Sequence, residues 1–400
     1  MKKTVAIIGS GPAALMLAAT LNEKNFDVTI YEKNFAPARK FLVAGDGGFN
    51  LTHSEDIEQF ITRYTPSSFL EKSLRAFTNI DLVNWLKQIG IETYVGSSKR
   101  VFPVQGIKPI DVLNAILNEL KNRNVHLKTK HEWIGWNEKN ELIINHNNEN
   151  NYVTADFVIF ALGGASWAKT GSDGSWLNLF EKKGIETIPL EASNCAYQIK
   201  WDEKFLKQAE GKSIKNISFT CNDVERKGEV VITKFGIEGG AVYGLSPQIR
   251  NELKENKIAA IFIDLKPTFS LEVIKSKFAN KESKTLTTIL KEDLNLSAAQ
   301  AALLKSSLTK EEFLNVEILA NKIKKLPLLI TAMAPIDEAI STVGGISLKE
   351  VDDSFQLKKL TNHYTIGEML NWDAPTGGYL LQACFSMGAS LAKQLNSKTK

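Results

Sequence analysis

The residues best placed to do chemistry lie at the start of the chain: Gly9-Ser10-Gly11-Pro12-Ala13-Ala14, followed by Glu32 and Lys33. Gly9 permits a tight turn, Gly11 lets a diphosphate approach the backbone, and Ala14 stands where a third small residue lets helix and strand pack closely. A helix that opens at Pro12 and Ala13 turns free N–H groups and a positive dipole end toward phosphates. Glu32, 18 residues beyond Ala14, is placed to accept hydrogen bonds from both hydroxyls of a ribose. The implied chemistry is dinucleotide binding. The elements that must position these residues are legible around them. Residues 4–8 are a β-branched run that reads as a buried strand, Leu15, Leu17, Ala18, Ala19 and Leu21 mark a helix, and 28–31 form a second strand, together a βαβ unit.

Further candidates are spread along the chain. Arg39 and Lys40 open a glycine-rich excursion through Gly45, Asn50 and Thr52 to His53. The two cations are suited to neutralise a diphosphate or a reduced anionic flavin, against the alternative of a solvated pair. Asn50 and Thr52 either orient a ring edge or cap a turn. His53 is a proton donor or a polar loop residue, and Arg100 either holds an anionic substrate or packs beside Phe102-Pro103. Trp133 opens a β-meander where its backbone can meet adenine, its indole serving as packing. Ala161 and Gly163 end another buried strand in a turn that admits a cofactor or a chain segment. Glu368 after Gly367 suits the hydroxyls of a ribityl chain, and the N–H groups after Gly377-Gly378 can face the O2/N1 edge of a flavin. Tyr379 either supplies an acid or fills the helix start, and Cys384 reads as core packing. A ribityl site and a C-terminal closure favour FAD over NAD.

Composition narrows the class. The chain has 400 residues, 43% hydrophobic, with a net charge of +4, enough to bury a large core in two or three domains. Cys195, Cys221 and Cys384 are far apart and form neither a CxxC pair nor a zinc cluster, so no metal is expected and a reducing, cytoplasmic setting fits. No signal sequence is expected, since the start runs directly into a strand, and no apolar run of about 18 residues is present to cross a membrane. No Ser/His/Asp triad stands out. The mild charge does not by itself establish nucleic-acid binding.

Helical periodicity is expected at 79–89 and at 109–123, where Pro109 suits a first turn, with a short strand at 100–103 between them. Residues 125–130, 132–136, 141–146 and 152–154 read as a meander with Asn-rich turns at 145–151. The expected fold is α/β: a discontinuous FAD-binding Rossmann-like domain (1–191 and 327–400), an inserted β-rich, barrel-like domain (192–268) and a small helical subdomain (269–326). Strands are expected near 195–201, 214–221, 229–233 and 259–265, helices at 271–278, 286–294, 298–308 and 311–321, and a closing helix at 378–394.

Several segments together resemble the BaiN/RdsA-type (YhiN-like) family of bacterial NAD(P)/FAD-dependent oxidoreductases. They are Ala38-Arg39-Lys40 through Gly47-Gly48-Phe49-Asn50-Leu51-Thr52, Arg100-Val101-Phe102-Pro103, Ala161-Leu162-Gly163-Gly164, Val343-Gly344-Gly345-Ile346, and Gly367-Glu368, Gly377-Gly378-Tyr379 and Gln382. The resemblance covers nearly the whole chain. Two departures mark a branch: Gly48-Phe49 stands where the family has Arg-Cys, which removes a cysteine redox step there, and Ala38 replaces a glycine. The resemblance implies non-covalent FAD, with NADH or NADPH as transient reductant, and hydride transfer through flavin N5 to an unsaturated small-molecule or nucleobase acceptor. It also offers uridine-to-dihydrouridine reduction in ribosomal RNA; a flavin redox sensor or partner-binding protein without turnover is the alternative from another class. The catalytic proton donor, the acceptor and the oligomeric state are left open by the sequence.

Overall fold

The computed structural model describes residues 1–43, 49–279 and 284–399. The chain divides into two compact units, 1–192 with 340–400, and 193–339.

The first unit is built on five parallel strands. They are β1 (Lys3–Ile8), β2 (Phe26–Glu32), β3 (His126–Thr129), β4 (Phe157–Phe160) and β5 (His363–Thr365), in the order β5-β4-β1-β2-β3. Ile7 is paired with Ile30 on one side and Ile159 on the other, and all three are fully buried. A parallel sheet covered on both faces reads as such an apolar run. Helix α1 (Pro12–Thr20) is buried from Ala13 to Ala19 and packs against the closing helix and the helix Pro109–Asn122. α2 (Pro109–Asn122) lays Val112, Leu113, Ile116 and Leu120 on the core and starts with Pro109 in its first turn. α3 (Tyr379–Ser397) packs on α1, and a Cβ at Gly388 would run into the Ala13 carbonyl.

Several sequence expectations are corrected here. Residues 126–129 leave the meander and pair in parallel with β2, from Thr29↔His126 to Glu32↔Thr129, because α2 returns the chain alongside β2. The meander therefore has three strands, Glu132–Trp136, Leu142–His146 and Glu149–Val153. Its Asn-rich run splits: Asn147 and Asn148 take φ of +52° and +65°, as a tight hairpin turn requires, while Asn150 and Asn151 are in a strand. Between β2 and α2 the chain forms an antiparallel sheet of Thr52–His53, Arg100–Pro103 and Thr93–Val95, with the expected helix Asn79–Gln88. Helices Ile57–Ile61 and Ser67–Ala76 lie there too, without a sequence expectation.

The second unit contains a closed antiparallel barrel of six strands: Tyr197–Ile199, Gly236–Glu238, Val224–Ile232, Ser213–Cys221, Ala259–Asp264 and Leu326–Met333. The last of these alternates buried and exposed residues from Leu326 and pairs with Ala259–Asp264, so the chain after Pro327 first completes the barrel. The first unit resumes at Ile340. The helices between these two strands include Leu271–Ala279 and Ala298–Ser307; the helix expected at 311–321 is two, Lys310–Leu314 and Val316–Lys324, because Asn315 caps the second by accepting from the Ile318 N–H.

Candidate functional site

A cavity opens at the carboxyl ends of β1, β2, β4 and β5, where open parallel sheets bind ligands. Its floor is the turn after β1. Gly9 has φ +97°, and a Cβ there would lie 2.5 Å from the Ala161 carbonyl oxygen, so the approach of β4 requires glycine. Gly11 is different: a Cβ would meet nothing within 4 Å, and it would project into open space. α1 has no side-chain cap, so the N–H groups of its first turn, with Pro12 and Ala13 lining the cavity, supply donors and a positive dipole end. Ala14 is fully buried beneath them and packs.

Glu32 lines the cavity from the end of β2 and is itself held. Its Oε2 accepts from the Ser10 hydroxyl at 2.5 Å, and its Oε1 accepts from the Asn34 N–H and side-chain amide, both at 2.8 Å. Ser10 in turn accepts from the Ala38 N–H at 3.1 Å. The cations are paired as well. Lys33 contacts Asp173 at 2.7 Å, and Arg39 donates to Asn34 at 3.2 Å and lies over the Phe35 ring. Lys40 donates to Ser166 at 2.7 Å and to Glu368 at 2.9 Å, while Glu368 also accepts from the Thr342 N–H. Thus Lys40 and Glu368, expected separately, form one half-buried ion pair.

Trp133, Ala161, Gly163 and Gly367 complete the expected lining. The Trp133 ring packs on Trp136 and Phe160, as expected for the indole. Cys384, expected in the core, lines the cavity, and burial pushes its thiol up to about 12. Ser10, Asn34, His131, Ser172 and Trp176 are lining residues that the sequence reading missed. Only Ser10 carried a local signal, as the residue between the two glycines. The Ser172 hydroxyl is buried without a partner beside Gly163. Unpaired donors at α1, space at Gly11, a braced carboxylate and an orphan hydroxyl fit the diphosphate and hydroxyls of a dinucleotide such as FAD.

The remaining expected residues gather elsewhere in the same unit. Gly45 lies outside the described residues. Asn50, Thr52, Gly377, Gly378 and Tyr379 do not line the strand-end cavity. Thr52 lies so close to Gly378 that a Cβ there would be 2.5 Å from the Thr52 Cα. Tyr379, at the start of α3, donates its hydroxyl to Glu55 at 2.5 Å, and Arg63 clasps Glu55 with bonds of 3.0 and 2.8 Å. Burial alone would raise the Glu55 carboxyl, but Arg63 and Tyr379 hold it below its ordinary value. Burial, then Glu55, raises the Tyr379 phenol, which removes it as a ready acid at neutral pH. The His53 ring stacks on Tyr379 with centroids 5.2 Å apart. Glu55 and Arg63 carried no local sequence signal.

Among the described residues no three His, Cys, Asp or Glu side chains are grouped to hold a metal, and no helix is long and apolar enough to cross a membrane. The family model for the HI0933-like protein Rossmann domain matches residues 3–394. The 3-dehydro-bile acid delta(4,6)-reductase of Clostridium scindens is 24% identical over 96% of this chain and 97% of its own. The ribosomal RNA dihydrouridine synthase of Haemophilus influenzae is 24% identical over 98% of both chains. In fold the chain is similar to 3-ketosteroid delta1-dehydrogenase from Sterolibacterium denitrificans, with a TM-score of 0.52 at 12% identity, over 99% of this chain and 100% of that one. A match along nearly all of the sequence, on a sheet whose strand ends carry this cavity, fixes the kinship: the chain belongs to the HI0933-like Rossmann family and is an FAD-dependent oxidoreductase.

Proposed function

We propose that the chain holds FAD non-covalently and reduces a carbon–carbon double bond conjugated to a carbonyl. One observation carries this reading. Two relatives matched along nearly their full length are named for reducing different molecules, a 3-dehydro-bile acid and a uridine of ribosomal RNA, and in each the reduced double bonds are conjugated with a carbonyl. In this reading Gly9, Gly11, Pro12, Ala13 and Ala14 form the diphosphate turn. Glu32, braced by Ser10 and Asn34, takes the ribose hydroxyls, and Trp133 borders the adenine. Lys33, Arg39 and Lys40 set the positive potential along the cavity, and Glu368 takes the ribityl hydroxyls. Ala161, Gly163 and Gly367 leave room at the strand ends. Asn50, Thr52, Gly377, Gly378 and Tyr379 border the ring. Bound there, FAD supplies a hydride at N5. NADH or NADPH binds transiently as the reductant, because the sequence carries one dinucleotide fingerprint.

The test is anaerobic reoxidation of the reduced holoenzyme by a panel containing a 3-keto-Δ4 steroid, 2-cyclohexenone, uridine, a uridine-containing RNA, an isolated alkene and a saturated ketone. The expected result is reoxidation by at least one conjugated carbonyl compound and by neither control. Reoxidation by none of them, with FAD bound, would leave a flavin sensor without turnover as the better reading.

A further inference from the structure

Charge is distributed unevenly around the start of α3. His53 and Arg100 are direct cross-strand partners, so their side chains leave the small sheet on the same face. Gly377 lies beside them: a Cβ there would be 3.4 Å from Arg100 Nε and 3.5 Å from the Tyr379 ring, on which His53 stacks. Arg100, His53 and Tyr379 therefore surround one glycine. The charge of Glu55 is taken by Arg63. Arg100 is half-buried and its side chain, among the described residues, makes no hydrogen bond or ion pair. Its guanidinium donors are therefore open to an anionic oxygen, which an arginine binds with charge-assisted hydrogen bonds. Thr52, against the adjoining Gly378, is fully buried with its hydroxyl also unpartnered.

His53 is oriented to complement Arg100. Its Nδ1 accepts from the Glu55 N–H at 3.2 Å, so in the neutral ring the proton is on Nε2. The loop that makes this bond is fixed by Asn79, which donates to the carbonyls of both His53 and Glu55. Burial lowers the His53 imidazole below its ordinary value; Arg63 and Arg100 act in the same direction, while Glu55 and the Ser98 carbonyl oppose them. The site is close to the strand-end cavity, since Tyr379 stands five residues before the cavity-lining Cys384, about 7.5 Å along α3.

We propose that Arg100 and His53 form the subsite that binds the carbonyl oxygen of the acceptor, with Tyr379, Glu55 and Arg63 as positioning residues. The proposal rests on the reading of the chain as a conjugated-carbonyl reductase. When a hydride from reduced FAD adds to the β-carbon, the π pair of the double bond moves through the α-carbon onto the carbonyl oxygen. Arg100 donates to that oxygen as its charge grows, and the His53 Nε2–H, drawn to the Ser98 carbonyl in the free protein, adds a second donor. The α-carbon then takes a proton from water, the carbonyl re-forms, the acceptor has gained two electrons and the FAD has lost two.

The probe is 4-formylphenolate, an aromatic anion whose oxygen resembles an enolate, titrated into the oxidised holoenzyme by calorimetry and by its long-wavelength flavin absorption. R100M is expected to weaken binding at least about tenfold, with FAD content and thermal midpoint unchanged, R100K to recover part of it, and H53Q to weaken it less. Equal binding by wild type and R100M, or no binding by wild type, would overturn the subsite whether or not enones reoxidise the enzyme. Arg100-dependent binding in an enzyme that no enone reoxidises would keep the subsite and remove the reductase reading.

Discussion

The strand-end cavity and the cluster at the start of α3 handle charge in opposite ways. In the cavity Lys33 is matched to Asp173 and Lys40 to Glu368, Arg39 is held by the Asn34 amide and the Phe35 ring rather than a carboxylate, and the Glu32 carboxylate is held by Ser10 and Asn34. In the cluster Glu55 is matched to Arg63, and among the described residues no side chain pairs with Arg100. A site whose groups are paired in advance loses little order when a large ligand enters, and its affinity comes from preorganisation. A site with an uncompensated half-buried cation is completed by negative charge from outside. The comparison separates residues that hold from residues that select.

The largest effect is expected at Gly9. Gly9→Ala brings a Cβ to 2.5 Å from the Ala161 carbonyl at φ +97°, and should cost about 3 kcal/mol or more in a urea melt. Gly11→Ala, with nothing within 4 Å, should leave stability within about 0.5 kcal/mol while lowering FAD affinity about tenfold. Equal destabilisation of the two variants would show that Gly11 serves the fold and not a ligand.

Next comes Glu32. Glu32→Ala removes the cavity carboxylate and frees Ser10 and Asn34, so titration of apo-protein should show FAD affinity lower by about 1.5–3 kcal/mol, with turnover at saturating FAD little changed. Unchanged affinity in a folded variant would remove Glu32 from the ribose site. Lys40 then sets the two regions directly against each other. Lys40→Met leaves Glu368 with the Thr342 N–H and without its cation, and should destabilise the fold by about 1–2 kcal/mol, largely recovered by adding Glu368→Gln. Arg100→Met breaks no pair among the described residues and should stay within about 0.5 kcal/mol of wild type. If both lysine and arginine variants melt alike, the contrast between paired and unpaired charge has no energetic content.

The cavity was the more legible region because its signal is local. Strand, turn, helix, strand and terminal acid fall within one βαβ unit, so periodicity and glycine spacing already place Gly9, Gly11 and Glu32 together. The cluster joins Glu55 to Tyr379 across 324 positions, and no window of sequence holds both. His53 and Arg100 were noticed singly, while their pairing depends on the register of two short strands. The same limit explains β3: the exposed His126 and Lys128 around Leu127 suit an edge of either sheet, and only the return of α2 decides between them. At Leu326–Met333 the alternation is present in the sequence, but a proline reads as a boundary, and Pro327 sits within the strand opposite Phe262.

The smallest effect concerns an ion pair more exposed than Lys40–Glu368. Asp156, just before β4, accepts from Lys3 Nζ at 2.8 Å and from the Thr4 N–H at 2.8 Å, fastening β1 to β4. The Lys3 bond first, and then the Thr4 N–H, lower its carboxyl to about 2. A folded value below the unfolded one, about 3.9, means that the charged form stabilises the fold above about pH 4 and that this contribution is lost as pH falls through about 2. Because the side chains are 54% and 35% exposed, solvent screening leaves only about 1 kcal/mol or less. Asp156→Asn should therefore be slightly less stable than wild type near neutrality, and the two urea midpoints should converge as the pH is lowered toward about 2. A gap that stays constant over that range would assign the effect to the neutral hydrogen bonds of Thr4. Added salt should narrow the gap at neutral pH far more than it narrows the loss in Lys40→Met, whose partner is 15% exposed.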